Sequence, residues 1–77
     1  MIGKPKYNYG DIVKFKYRNG TKTGVIAIID YYGTFYNDKD VSYDILNKDE
    51  NVLYKHFEEK YVVEKIGEID PEKIWDR

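Results

Sequence analysis

The chain has 77 residues and a formal net charge of −1, and 42% of its residues are hydrophobic and 17% aromatic. A chain of this length forms one domain and buries only about 60% of the surface that it exposes when unfolded, so its large rings, nine Tyr, three Phe and one Trp, must supply much of the burial. The lack of cysteine excludes disulfides and thiolate metal sites. No apolar run is long enough for a signal peptide or a membrane span, so we expect a cytoplasmic protein.

The stretch GDIVKFKY, residues 10–17, predicts the opening strand. Apolar Val13, Phe15 and Tyr17 alternate with Lys14 and Lys16, and this period of two is typical of a strand with one buried face. The same alternation predicts that Arg18 points to the cationic side.

A tight reversal is predicted next, because Asn19-Gly20 is a strong turn signal that supplies positive φ values. We expect a loop over 18–24. The following run, 25–32, is almost continuously apolar, which indicates a strand that is buried on both sides or bends sharply. It is therefore the predicted central strand.

Three further strands follow a turn-rich, exposed loop over 33–40. Val41, Tyr43 and Ile45 alternate and are expected to point inward. The remaining predicted elements are a strand over 41–46, a hairpin turn over 47–51, a strand over 52–56, a helical turn over 57–60 and a closing strand over 61–66.

The two ends of the chain lie outside the predicted barrel. We expect an N-terminal arm over 1–9, packed through Tyr7 or Tyr9, a barrel domain over 10–66, and a tail over 67–77. In the tail, Asp70 is a predicted helix cap and Pro71 a predicted first helical residue, so a short helical turn is expected.

The order of these signals resembles that of the Src-homology-3-like small barrels, a superfamily that includes Tudor, chromo-barrel and KOW-type modules. The resemblance covers 9–66 and rests on the opening G-D-x-V strand, a strand that begins Gly-Val-Ile, a strand that carries Tyr-Asp-Ile, and an acidic turn before the last strand. It implies an all-β, five-stranded antiparallel barrel that acts as a binding module rather than an enzyme.

A second resemblance concerns composition. The chain is similar to small, cysteine-free accessory proteins of phages and prophages of low-GC Gram-positive bacteria, which are rich in Lys, Tyr, Asn and Ile. Such proteins often bind and inhibit host enzymes. We therefore predict a protein that acts through protein–protein contacts, with a host or phage factor as its partner.

No residue pattern predicts catalysis or metal binding. Nucleophilic catalysis needs a nucleophile beside a base, and the single serine and single histidine, Ser42 and His56, lack a nucleophile-elbow context. The acidic residues in 38–40 and 49–50 lack the spacing of a calcium loop. We therefore predict no enzyme, no cofactor and no metal site.

Three groups of residues remain as candidate binding sites. Aromatic residues around the loop offer large contact area to a protein partner, and they are Tyr31, Tyr32, Phe35 and Tyr36. Basic residues of the first hairpin suit phosphate contacts with a nucleic acid, and they are Lys14, Lys16, Arg18 and Lys22. Two observations favour a solvated strand face instead. The pI of 5.8 is below that of a dedicated nucleic-acid-binding domain, and alternating lysines on an outward strand face also protect a sheet edge from pairing. Self-association through Ile74 and Trp75 is the third hypothesis.

Overall fold

In the computed structural model, residues 4–32 and 40–76 are described, and they form one antiparallel sheet of five strands. The strands are β1 (Asp11–Tyr17), β2 (Gly20–Asp30), β3 (Ser42–Asn47), β4 (Val52–Glu58) and β5 (Val62–Glu68), in the order β4-β3-β2-β1-β5. Short 3-10 turns span Glu59–Tyr61 and Pro71–Lys73. The prediction of an all-β chain with five antiparallel strands is confirmed. The sheet is not closed, because within the described residues β4 and β5 do not pair with each other.

The hairpin between β1 and β2 is tighter than the sequence predicted. Tyr17 pairs with Gly20, so only two residues form the turn and β2 begins at Gly20 rather than after Gly24. The positive φ value, 55°, falls on Arg18 and not on the Asn-Gly pair. The predicted loop over 18–24 is therefore wrong, because the polar residues at 21–23 pair with β1 instead of leaving the sheet.

The larger hydrophobic cluster lies on one side of the sheet, which we call the inner face. Val41, Tyr43 and Ile45 are at most 5% exposed there, as the alternation predicted. β1 contributes Val13 and Phe15, which are fully buried. The remaining buried members are Ile26, Ile29 and Val62.

A smaller cluster covers the opposite side, which we call the outer face. Val25 and Ala27 of β2 point into it, whereas Ile26 and Ile29 of the same strand point to the inner face. The register between β2 and β3 shifts between Ile26 and Ile28, as at a bulge that bends the strand. β2 is therefore both buried on two sides and bent, which explains its continuous apolar sequence.

The C-terminal tail closes the outer face. Asp70 accepts a hydrogen bond from the Glu72 amide at 3.0 Å, and Pro71 begins the 3-10 turn, as predicted. Ile74 is only 3% exposed within the outer cluster, whereas Trp75 is 57% exposed. Ile74 is therefore the anchor of the tail.

The N-terminal arm packs against the inner face of the sheet. The Tyr7 ring meets the Tyr43 ring edge-on, with centroids 5.8 Å apart, while Tyr9 is exposed. Glu59 accepts hydrogen bonds from the Tyr43 hydroxyl at 2.5 Å and from the Lys6 amide at 3.1 Å. The turn before β5 thus contacts both the core and the arm. Burial is the main cause that raises the pKa of Tyr43, and the hydrogen bond to Glu59 is the second.

Both edge strands are irregular. The register between β1 and β5 shifts twice, and in β4 the residue His56 has a φ value of 63°. Asp44 on β3 accepts a hydrogen bond from the His56 amide at 2.9 Å, which stabilises this irregularity. Bulges of this kind discourage another chain from pairing with a sheet edge.

Candidate binding surfaces

Aromatic side chains from β1 and β4 meet at one end of the inner face. The Tyr54 ring centroid lies 5.4 Å from that of Phe15 and 5.0 Å from that of Tyr17. Phe57 lies 5.0 Å from Phe15 and 6.3 Å from Tyr17. Phe15 is fully buried, whereas the other three rings are half-buried. We call Tyr17, Tyr54 and Phe57 the aromatic platform.

The platform exists because the sheet curls. In the strand order, β2 and β3 lie between β1 and β4, so a flat sheet would separate β1 from β4 by about 14 Å. The ring centroids of Tyr17 and Tyr54 are only 5.0 Å apart, which requires β4 to approach β1 across the inner face. The bulge in β2 supplies part of this curvature.

The platform already carries an ammonium group, that of Lys22. The Lys22 Nζ atom lies 5.6 Å from the ring centroids of both Tyr17 and Tyr54. It also donates a hydrogen bond to Glu50 at 2.9 Å, and the Tyr54 hydroxyl donates to the same carboxylate at 2.8 Å. Two aromatic faces and one carboxylate together are the surroundings that an organic cation prefers.

These contacts change the acid–base behaviour of the group. The hydrogen bond from Lys22, followed by that from Tyr54, lowers the pKa of Glu50. The hydrogen bond to Glu50 is the main cause that raises the pKa of Lys22. Burial, and then the hydrogen bond to Glu50, raises the pKa of Tyr54. At neutral pH the site therefore holds an ammonium, a carboxylate and a neutral phenol.

The four basic residues predicted to bind a nucleic acid do not form one face. Lys22 pairs with Phe15 in the hairpin and so belongs to the inner face, while Lys14 and Lys16 alternate with Phe15 and point outward. Arg18 lies in the turn, with its guanidinium carbon 5.3 Å from the Tyr17 ring centroid. The alternation missed this division because it describes one strand and not the pairing across the hairpin.

Two of the four basic residues also have carboxylate partners. Lys14 Nζ lies 3.7 Å from Glu64, and Lys22 Nζ lies 2.9 Å from Glu50. Within 4–32 and 40–76, no ion pair involves Lys16 or Arg18. The positive charge of the hairpin is therefore partly compensated.

The predicted aromatic loop site is described only in part. Tyr31 is half-buried against the inner cluster, whereas Tyr32 is 69% exposed. The Tyr32 amide donates a hydrogen bond to Asp30 at 2.9 Å. Phe35 and Tyr36 lie outside the described residues. Of this group, Tyr32 is the described residue that presents a free aromatic surface.

The remaining polar candidates lie apart. Ser42 is 1% exposed, and its hydroxyl has no hydrogen-bond partner in the part of the chain that the structure describes, whereas His56 is exposed and lies two residues before Glu58, the β4 residue that pairs with Ser42. Among the described residues no group of three histidine, cysteine or carboxylate side chains could hold a metal ion. Of the acidic residues at 38–40, the structure describes Asp40 alone.

A groove opens on the outer face beside the tail. It has a volume of ≈ 720 Å³ and is lined by Leu46, Lys48, Asn51, Leu53, Trp75 and Asp76. Its apolar walls come from β3, β4 and the exposed indole of Trp75. The groove could not be foreseen from the sequence, because it depends on where the tail docks.

The sequence holds separate signals for the aromatic platform, but no local pattern combines them. The alternation correctly predicts that Tyr17 points inward. Phe57 falls in the predicted helical turn, whereas β4 continues to Glu58. Tyr54 falls in a predicted strand with no indication of its neighbours. Contact between β1 and β4 follows from the curl of the sheet, which a strand-by-strand pattern does not contain.

No protein-family model, curated protein or solved structure matches this chain. The described part of the chain contains no helix with the length and apolar character needed to cross a membrane.

Proposed function

We propose that the protein is a non-enzymatic binding module of the Src-homology-3-like small-barrel type, and that it acts by contact with another protein. Its strand order is similar to that of such barrels, with β1 between β2 and β5 and a 3-10 turn before the last strand. The curl that brings Tyr54 to Phe15 and Tyr17 supports the same proposal. A host factor bound by a phage-type accessory protein is the class of partner that the composition suggests.

The observation that carries this proposal is the way in which the platform holds Lys22. Tyr17 and Tyr54 face the ammonium group, and Glu50 accepts its hydrogen bond. A lysine or arginine side chain of a partner could make the same contacts with the two rings and the carboxylate. We therefore propose that such a side chain replaces Lys22 on the platform.

Replacement requires that the internal contact be weak enough to break. The side chains of Lys22 and Glu50 are 31% and 39% exposed, so water screens their attraction. Half-buried tyrosines around a polar group also suit an interface, because they offer large contact area at a low cost in entropy. The platform is thus a surface on which an incoming side chain competes with Lys22.

Capture of partners from a lysate of a low-GC Gram-positive bacterium tests this function. The tagged protein is compared with Lys22→Ala and Tyr54→Leu, with and without nuclease, and the bound proteins are identified by mass spectrometry. We expect one protein that survives nuclease, is recovered in larger amount with Lys22→Ala, and is lost with Tyr54→Leu.

The control variant is Tyr32→Ala, which removes an exposed ring that is not part of the platform. Loss of the partner with Tyr32→Ala, but not with Tyr54→Leu, would contradict binding at the platform and favour binding at the predicted aromatic loop site. Recovery that depends on nucleic acid would contradict a protein partner.

Nucleic-acid binding is the second candidate function, and the position of Arg18 favours it. Its guanidinium lies on the Tyr17 ring, and the cationic Lys22 lies over the same ring. Aromatic rings beside cations bind single strands by stacking and by phosphate contacts. This candidate predicts an affinity that falls steeply with salt and is lost when Lys14, Lys16 and Arg18 become glutamate.

A further inference from the structure

We propose that a second copy of the chain docks on the outer face, in a two-fold dimer in which Trp75 of each copy fills the other's groove. This surface lies on the opposite side of the sheet from the aromatic platform, since Leu53 and Tyr54 are neighbours on β4 and point to opposite faces. The proposal is therefore independent of the proposed function.

The groove has the size and lining of a binding site. Its volume of ≈ 720 Å³ falls within the range of about 300–1,000 Å³ that is typical of sites that bury a ligand. Leu46 and Leu53 form its apolar floor beside the Trp75 indole. An exposed tryptophan at the edge of an apolar groove is the kind of residue that dominates interface energies.

The tail backbone is anchored on both sides of the short 3-10 turn that leads to Trp75. The preceding residue, Ile74, is buried in the outer cluster, and Lys48 donates a hydrogen bond to the Lys73 carbonyl at 2.9 Å. At the start of the tail, the Ile69 amide donates to the Gly10 carbonyl at 2.8 Å. Because the backbone that carries the indole is already anchored, binding costs less ordering of the tail than it would for a free terminus. Ile74, which the sequence predicted as a second contact, is instead internal.

The charges at the groove favour a second copy over another occupant. Among the described residues, one cation, Lys48, and one anion, Asp76, line the groove, so this part of the surface offers no net charge to a polyanionic or polycationic partner. A two-fold axis brings each patch against itself, so that a residue of one copy meets a different residue of the other. Lys48 of one copy can then face Asp76 of the other, while each Trp75 enters the opposite groove.

The sheet edges do not offer an equivalent route to dimers. β4 carries the irregular His56, and β5 has two register shifts against β1. An exchange of two tryptophans buries less than a standard interface, so the predicted dissociation constant is about 10 µM to 1 mM. The dimer leaves both aromatic platforms accessible.

Sedimentation velocity across about 10 µM to 1 mM tests this proposal, since that range covers the expected dissociation constant. We expect the mass to rise from monomer to dimer, and the fluorescence of the single tryptophan to shift with the same midpoint. Trp75→Ala should raise the dissociation constant at least about tenfold, as for an interface anchor. The matched control is Ile66→Ala, which removes a side chain of similar exposure, 50%, from β5.

Charge reversal tests the proposed pairing. Asp76→Lys should weaken the dimer, and the combination with Lys48→Glu should restore it. Thermal unfolding of each variant shows whether the tail is intact, because Lys48 also contacts the Lys73 carbonyl. A monomer at every concentration, or a dimer that is insensitive to Trp75→Ala, would overturn the proposal. Equal weakening by Ile66→Ala would also overturn it.

Discussion

The two faces of the sheet achieve burial in different ways. The inner face is covered mainly by the curl of the sheet itself, with Tyr7 of the arm packed at its margin, and its core contains residues from four of the five strands. The outer face depends on one short tail, whose Ile74 covers Val25, Ala27 and Leu46. A face closed by the sheet's own strands unfolds with the whole domain, whereas a face closed by a terminal segment can open alone. This difference predicts distinct responses to mutation.

The largest effect is expected at Phe15, which joins the inner core to the platform. Phe15→Ala should lower the free energy of unfolding by about 3–5 kcal/mol, because it leaves a cavity beneath Tyr54 and Phe57. Urea unfolding measures this loss, and Phe15→Leu should recover part of it. A loss below about 1 kcal/mol would mean that the inner face is not the principal core.

A smaller and more local effect is expected at Ile74. Ile74→Ala should cost about 2–3 kcal/mol, near the lower end for a buried isoleucine, because the tail can detach without unfolding the sheet. In hydrogen exchange, the Ile69 amide should exchange faster while the amides of β2 change little. Equal acceleration in β2 would contradict the independence of the outer face.

Substitutions of Asp44 and His56 test how the irregular edge strand β4 is stabilised. Asp44→Ala removes the acceptor of the His56 amide and should cost about 1–2 kcal/mol. Asp44→Asn keeps an oxygen acceptor and is the control. His56→Gly should stabilise the protein by up to about 1 kcal/mol, because glycine tolerates the φ value of 63°. If Asp44→Asn cost as much as Asp44→Ala, the charge rather than the hydrogen bond would be responsible.

The smallest effect is a pH dependence at the platform. The pKa of Glu50 is lowered from its ordinary value of 4.5, so its pairing with Lys22 stabilises the fold above that pH. This contribution is lost as the pH falls through the lowered pKa. The difference in urea midpoint between wild type and Lys22→Ala should therefore shrink from neutral pH to about pH 3. A constant difference would show that packing, not charge, accounts for the effect of Lys22.

The sequence predicted what depends on local pattern and missed what depends on packing between distant segments. Alternation identified β1 and the inward residues of β3, and the Asp-Pro pair at 70–71 identified the second 3-10 turn. The loop of the first hairpin was predicted too long, because its polar residues suggested a loop although Thr21 and Thr23 pair with β1. Neither the contact of Tyr17 with Tyr54 nor the burial of Ile74 has a local signal, since the first arises from the curvature of the sheet and the second from the docking of the tail.

The proposed function requires that the platform bind an ammonium group. NMR titration of Lys22→Ala with Nα-acetyl-lysine methylamide, whose side-chain ammonium is free, tests this directly. The ring resonances of Tyr17 and Tyr54 should shift saturably, more weakly in the wild type, and not at all when Glu50→Gln is added to Lys22→Ala. The absence of a shift at these rings in Lys22→Ala, or an equal shift with Glu50→Gln, would contradict the proposal.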